Sequence, residues 1–193
     1  MKAEMETEVK IRVHDDAAVT EQLRAAGFDV HTPRIFESNA LYDTGNRSLR
    51  SQQMALRIRQ SGDQGILTWK GPGEPGPHKS RPEIETTVGD AAVLGKIFHQ
   101  LGFNEMLRYE KYRTEFARPN EEGIVTLDET PIGLFLELEG TGAWIDTTAR
   151  ELGFSPQDYI LDSYAHLYVA DCERRGVEPT HMTFAPSPEN ALP

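Results

Sequence analysis

Glu4-Met5-Glu6-Thr7-Glu8-Val9-Lys10-Ile11-Arg12-Val13 carries a charge at every even position, with Met, Thr, Val, Ile and Val between them. A period of two is that of a β-strand. The decapeptide therefore predicts a strand with one charged face and one mostly apolar face. The alternation returns in Arg57/Arg59, Arg81/Glu83/Glu85, Lys111/Arg113 and Glu137/Glu139. Opposite them stand Leu56/Ile58, Ile84, Tyr112 and Leu136/Leu138. One charged strand face usually just meets water, but five in register ask for another arrangement.

The helices suggest it. Asp15 and Asp16 open an amphipathic helix to about residue 26, and Asp90 caps another to about 101; both carry apolar faces that need a surface to cover. If they cover the apolar outside of a barrel, the charged faces point inward. Inward charges of mixed sign are costly unless they pair or bind ions. The pattern implies a wet lumen with an ionic ligand.

Other strands are predicted at residues 54–60 and 66–70, joined by a turn at 61–65, and at 81–88, 109–117, 124–128 and 134–139. Residues 28–43 read as extended chain, 147–152 as a short helix and 162–174 as a longer one. About eight strands interrupted by helices, without simple alternation, predict an antiparallel α+β fold. At 193 residues the chain suits one domain, placed at 1–176, with a Pro-rich, disordered tail over 177–193.

With 20 Lys and Arg against 31 Asp and Glu, the formal charge is −11, which argues against a general nucleic-acid coat. No stretch approaches a membrane span, and the charged start at Met1–Glu4 reads as lacking a secretory signal, so a cytoplasmic protein is expected. The single Cys172 excludes a disulfide framework and a cysteine zinc site, and reads as a small apolar residue of the last helix. Gly71-Pro72-Gly73-Glu74-Pro75-Gly76 matches the dinucleotide-binding glycine pattern by letter only. Pro72, Pro75 and Pro77 deny it the helix N-terminus that pattern needs. Monomer and homodimer both stay open.

The charged residues suggest a ligand. Lys10, Arg57, Arg59, Lys70, Arg81, Lys111 and Arg113 can form a cationic wall suited to phosphate oxygens. Glu6, Glu8, Asp128, Glu137 and Glu139 can form a carboxylate patch suited to Mg²⁺ or Mn²⁺. Together they describe a small-molecule triphosphate with its metal.

These residues resemble the CYTH family, the triphosphate tunnel metalloenzymes. The family's Glu-x-Glu-x-Lys appears as Glu6-Thr7-Glu8-Val9-Lys10. Tyr42-Asp43, Leu56-Arg57-Ile58-Arg59, Thr68-Trp69-Lys70-Gly71-Pro72, Arg81-Pro82-Glu83-Ile84-Glu85, Lys111-Tyr112-Arg113, Leu127-Asp128 and the 134–139 strand follow in the family's order. The resemblance spans about residues 4–170. It implies an eight-stranded antiparallel barrel, open as a tunnel, that binds triphosphates with a divalent metal.

On this reading Glu6, Glu8, Asp128, Glu137 and Glu139 hold one or two ions. Lys10, Arg57, Arg59, Lys111 and Arg113 clamp phosphates, with Arg81 either a further clamp or a partner of Glu83 or Glu85. Tyr42 and Lys70 are the candidate acid–base pair, since a nearby ammonium favours phenolate; otherwise Tyr42 packs at the barrel rim and Lys70 binds phosphate. The favoured activity is triphosphate phosphohydrolysis. The alternatives are a class IV adenylate cyclase making cyclic AMP and a binding module without turnover, the last disfavoured because anion binding alone needs no carboxylates.

Overall fold

The computed structural model describes residues 3–185. Its strands are β1 (Glu4–Val13), β2 (Asp29–Thr44), β3 (Ala55–Ser61), β4 (Gln64–Lys70), β5 (Lys79–Val88), β6 (Phe103–Ala117), β7 (Ile124–Thr130) and β8 (Gly133–Glu139). The helices are α1 (Asp16–Ala25), α2 (Ser48–Ser51), α3 (Ala91–Gln100), α4 (Gly142–Glu151) and α5 (Tyr164–Arg175). The strands close into a barrel in the order β1-β5-β4-β3-β2-β6-β7-β8, with every pairing antiparallel.

Directly opposed residues of an antiparallel pair share a face, so the register sorts inside from outside. Glu8 opposes Glu139, Lys10 opposes Glu137, and Arg113 opposes Asp128, all on the lumen side. Tyr42, Leu56, Trp69 and Ile84 form one row across β2, β3, β4 and β5, on the outer side. The predicted inside-out arrangement is the observed one.

The apolar core therefore lies between the barrel wall and its helices. Asp15 caps α1 by accepting a hydrogen bond from the Ala18 N–H, and α1 lays Val19 and Leu23 against Val9, Ile11 and Val13. Helix α4 adds Ile145 and Ala149 to the same cluster. Capped by Thr141, it begins at Gly142, five residues before the predicted 147. Helix α3, capped by Asp90, lies over β6, β3 and β4 and leaves its apolar Val93 and Ile97 and its C-cap Leu101 exposed.

Helix α5 behaves differently. Its Tyr164, Tyr168 and Cys172 pack on Tyr109 and Phe135, which share parity with the lumen charges of β6 and β8. The helix thus closes one end of the barrel. The chain also stays packed beyond residue 176, the boundary read from the sequence. Met182 is buried in the same cluster, exchanges backbone hydrogen bonds with Arg108 and Glu110 at 2.9 Å, and is followed by Phe184, whose ring lies 5.3 Å from that of Tyr112. A few anchors with no periodicity are enough, which is why composition pointed to disorder. Residues 186–193 of the expected tail lie outside the described residues. Among the described residues no helix is long and apolar enough to cross a membrane.

Candidate active site

The strand parity of β1, β3, β5, β6 and β8 delivers charged side chains into a cavity of about 1500 Å³. At its deep end Asp128 is fully buried. It accepts from Lys111 Nζ at 2.9 Å, from Arg113 Nε and Nη2 at 2.7 and 2.6 Å, and from the Tyr164 hydroxyl at 2.7 Å. Arg113 also pairs with Glu137, and Lys10 bridges Glu8 at 2.8 Å and Glu137 at 3.1 Å. Burial alone would raise the Glu137 pKa, but Lys10 and Arg113 hold it well below the usual carboxylate range. Lys10 and Lys111 each lie 5.3 Å from the centroid of the Tyr164 ring, a cation–π contact.

Toward the other end, Lys70 pairs with Glu6 and, at 3.0 Å, with Glu83. Lys79 pairs with Glu8, and its pKa is lowered by burial and by Lys10. The carboxylates outnumber their partners here. Burial and the hydrogen bond with Glu6 push Glu83 up to about 7. Glu139 has no ion-pair partner among the described residues. It is solvent-exposed at the rim, yet the protein around its carboxyl and the charges of Glu6, Glu8 and Glu137 push it up to about 7.

The facing wall is cationic. Arg57 donates to Thr68 Oγ1 at 3.1 Å and to the Tyr109 hydroxyl at 3.4 Å, with Glu85 at 3.6 Å. Arg59 donates to Asn39 Oδ1 at 3.1 Å and lies 3.4 Å from Glu37, its pKa lowered by burial and by Arg57. Arg57 Nε and Asn39 Nδ2 are buried N–H donors without a hydrogen-bond partner among the described residues. Such donors are costly unless something accepts from them.

Of the sequence-assigned residues, Lys10, Arg57, Arg59, Lys70, Lys111, Arg113, Glu6, Glu8, Glu137 and Glu139 all meet in this lumen. Two assignments need correction. Tyr42 belongs to the outer row: its ring packs edge-on against Phe98 of α3 at 5.3 Å, and its hydroxyl sits where a side chain at Gly95 would stand. Since β-strand neighbours alternate faces, Lys70 and Trp69 point oppositely, and Tyr42 shares the Trp69 side. It is not an acid–base partner of Lys70. Asp128 has both oxygens engaged by two cations and a phenol, so it is an internal counter-ion and not a free metal ligand. Arg81 also lines the lumen; among the described residues it pairs with neither Glu83 nor Glu85, and its guanidinium donates to the Gly71 and Gln53 carbonyls. Lys79, Glu83, Glu37, Asn39, Tyr109 and Tyr164 were not assigned as site residues. Strand parity offered Lys79, Glu83 and Tyr109, which share faces with Arg81 and Lys111, whereas Tyr164 enters from a helix and has no such signal.

Glu6, Glu8 and Glu139 have the hard oxygen donors that Mg²⁺ or Mn²⁺ prefers, and a rim whose carboxyls hold protons up to about pH 7 is short of cations. The donor chemistry fits a divalent ion there. Among the described residues no three acidic, His or Cys side chains form a ready-made metal cluster, and Glu6 and Glu8 are paired with Lys70 and Lys79.

Comparisons with known proteins agree with this barrel. The family model for the CYTH domain matches residues 4–164. A relative from Methanocaldococcus jannaschii, designated "Putative adenylate cyclase MJ0240", is 33% identical over 135 residues, covering 70% of this chain and 76% of its own. A Vibrio parahaemolyticus structure with the same kind of designation superposes with a TM-score of 0.75 at 21% identity, over 86% of this chain and 98% of that one. The Hippeastrum protein HpAC1, described as an adenylyl cyclase candidate with a dominant triphosphatase activity, superposes with a TM-score of 0.62 at 19% identity, over 90% and 97%.

Proposed function

The chain belongs to the CYTH family, and from that premise we propose that it is a divalent-metal-dependent triphosphate phosphohydrolase. The observation that carries the reading is the opposition of two walls across one lumen. Beside Arg59, Arg57 offers a buried N–H donor with nothing to accept from it, while Glu139 has no ion-pair partner among the described residues and Glu83 shares Lys70 with Glu6. A triphosphate carrying its metal supplies acceptors to the first wall and positive charge to the second.

Arg57 and Arg59 bind phosphate oxygens, their planar forks suiting bidentate contact. Lys10, Lys111 and Arg113, already tied to Asp128 and Glu137, give the deep end a fixed field that needs no rearrangement during the reaction. Helix α5 excludes bulk water from that end. A Mg²⁺ or Mn²⁺ ion held by Glu6, Glu8 and Glu139 would neutralise phosphate charge and polarise the phosphoryl oxygens. Lys70 and Lys79 lie beside those carboxylates and can follow the charge from carboxylate to phosphate. Water attacks the terminal phosphorus, and the bond to the bridging oxygen breaks to release orthophosphate.

Adenylate cyclisation is the second reading. The designation of the M. jannaschii relative favours it, as does a cavity larger than the roughly 300–1,000 Å³ that suffices for drug-sized ligands. Incubation with tripolyphosphate, thiamine triphosphate and ATP in Mg²⁺ or Mn²⁺, with products resolved by chromatography, separates the two. Orthophosphate release is the expected result, and cyclic AMP with pyrophosphate would replace the hydrolase reading. Turnover undiminished in excess chelator would remove the metal.

A further inference from the structure

Outside the barrel, three segments meet at one carboxylate. His78 Nε2 lies 2.8 Å from Asp146 Oδ1, and the Tyr159 hydroxyl donates to the same oxygen at 2.9 Å. The His78 and Tyr159 rings are 5.9 Å apart. His78 ends the Gly/Pro loop, Asp146 belongs to α4, and Tyr159 lies on the strap leading to α5. Gly142 makes room for this: a Cβ there would stand 2.9 Å from His78 Nδ1. The other charged groups bearing on the cluster are Arg150, one turn along α4 from Asp146, and Asp158 on the strap.

The cluster stands where the barrel seam ends. The β1–β5 ladder stops at Glu8 opposite Lys79; two residues on, Lys10 pairs instead with Ile160, with backbone hydrogen bonds of 3.0 and 2.8 Å. Lys79 is thus the first residue of its strand, preceded by a loop rich in Gly and Pro, and such ends fray unless tied down. His78 stands at the bend that enters β5, and Lys79 follows it directly. Fixing His78 on Asp146 and Tyr159 therefore fixes the backbone at the point where the strand begins and Lys79 meets Glu8 in the lumen.

Resting on the triphosphate reading above, we infer that His78, anchored by Asp146 and Tyr159, is a positioning residue that fixes Lys79 as a phosphate-binding cation of the lumen. His78 touches no substrate; it acts through the residue that follows it.

The test is tripolyphosphate binding by titration calorimetry in the full chain, with thermal melts to show that each variant is folded. K79A is expected to lose on the order of tenfold in affinity, the worth of one charge-assisted hydrogen bond. H78A and G142A should each lose a similar or somewhat smaller factor. H78Q, which keeps an N–H for Asp146, should recover most of the loss. The double variant H78A/K79A should bind no worse than K79A alone, because a residue acting only through Lys79 has nothing left to position. Multiplying losses in the double variant would overturn the inference, as would H78A or G142A binding like the wild type. Wild-type protein that fails to bind tripolyphosphate would overturn the triphosphate reading itself, whereas wild-type binding unmoved by H78A overturns the positioning role alone.

Discussion

Tyr164 reaches from helix α5 into the end of the barrel and donates its hydroxyl to Asp128 at 2.7 Å. A closing helix and the deepest carboxylate are thereby one unit, and with Lys111 and Arg113 they form a buried network with the Asp128 oxygens satisfied. Such a network is expensive to break from one side, because the partners remain buried and charged.

Asp128→Ala should accordingly cost about 3–5 kcal/mol of stability, because Lys111 is left with Glu37 alone at 3.6 Å and Arg113 with Glu137 alone, both still buried. In a chain of this size that is a fall in melting temperature on the order of 10 °C. Glu139→Gln should not lower the melt in metal-free buffer, yet should weaken Mn²⁺ binding. A D128A protein melting like the wild type would return Asp128 to the list of free ligands.

Arg59 makes the opposite case. Burial and Arg57 both disfavour its charge in the empty lumen. Arg59→Ala should leave the melting temperature of the ligand-free protein unchanged or raise it slightly. Tripolyphosphate at about 100 times its dissociation constant adds roughly 2.7 kcal/mol to the wild type, and the same concentration should add clearly less to R59A. Equal ligand-induced shifts in both proteins would exclude Arg59 from the phosphate site.

The rim carboxyls set a pH dependence. In the folded chain, burial and neighbouring carboxylates push Glu83 and Glu139 up to about 7, above the ordinary glutamate value of 4.5. Between these limits the folded state holds more protons than the unfolded one, so their contribution to stability rises as pH falls from about 7 to about 4.5. Glu37 runs the other way, lowered to about 2 despite its burial by Lys111 and Arg59, and its contribution is lost as pH falls below about 4.5. Metal-free protein should therefore melt higher at pH 5.5 than at 7.5, and E83Q/E139Q should flatten that slope. Divalent-ion affinity should fall over the same interval, as protons compete for Glu139.

Met182 anchors the last described segment against Tyr109 and Tyr168. Met182→Ala should cost about 2–5 kcal/mol, the range for a buried methionine. Truncation after residue 176 should do at least as much, and should open the α5 end of the lumen to solvent, seen as faster amide exchange at Tyr164. An unaltered melt on truncation would make the segment a passive tail.

The sequence alone determined which face of most strands is charged. Parity is local: Glu6, Glu8 and Lys10 must share a side of any extended chain, and so must Arg57 and Arg59. Two amphipathic helices with apolar faces then left only one economical arrangement, with the charges inside. Which charges meet was another matter. Whether Arg113 reaches Asp128 or a ligand depends on barrel register and closure, which bring together residues far apart along the chain. The face of Tyr42 was illegible for the same reason, since β2 takes its inside and outside from its neighbours in the barrel. Tyr164 and Met182 lay beyond reach altogether, because a helix end and an irregular segment that close a barrel carry no periodicity; only the packed chain shows the opening they fill.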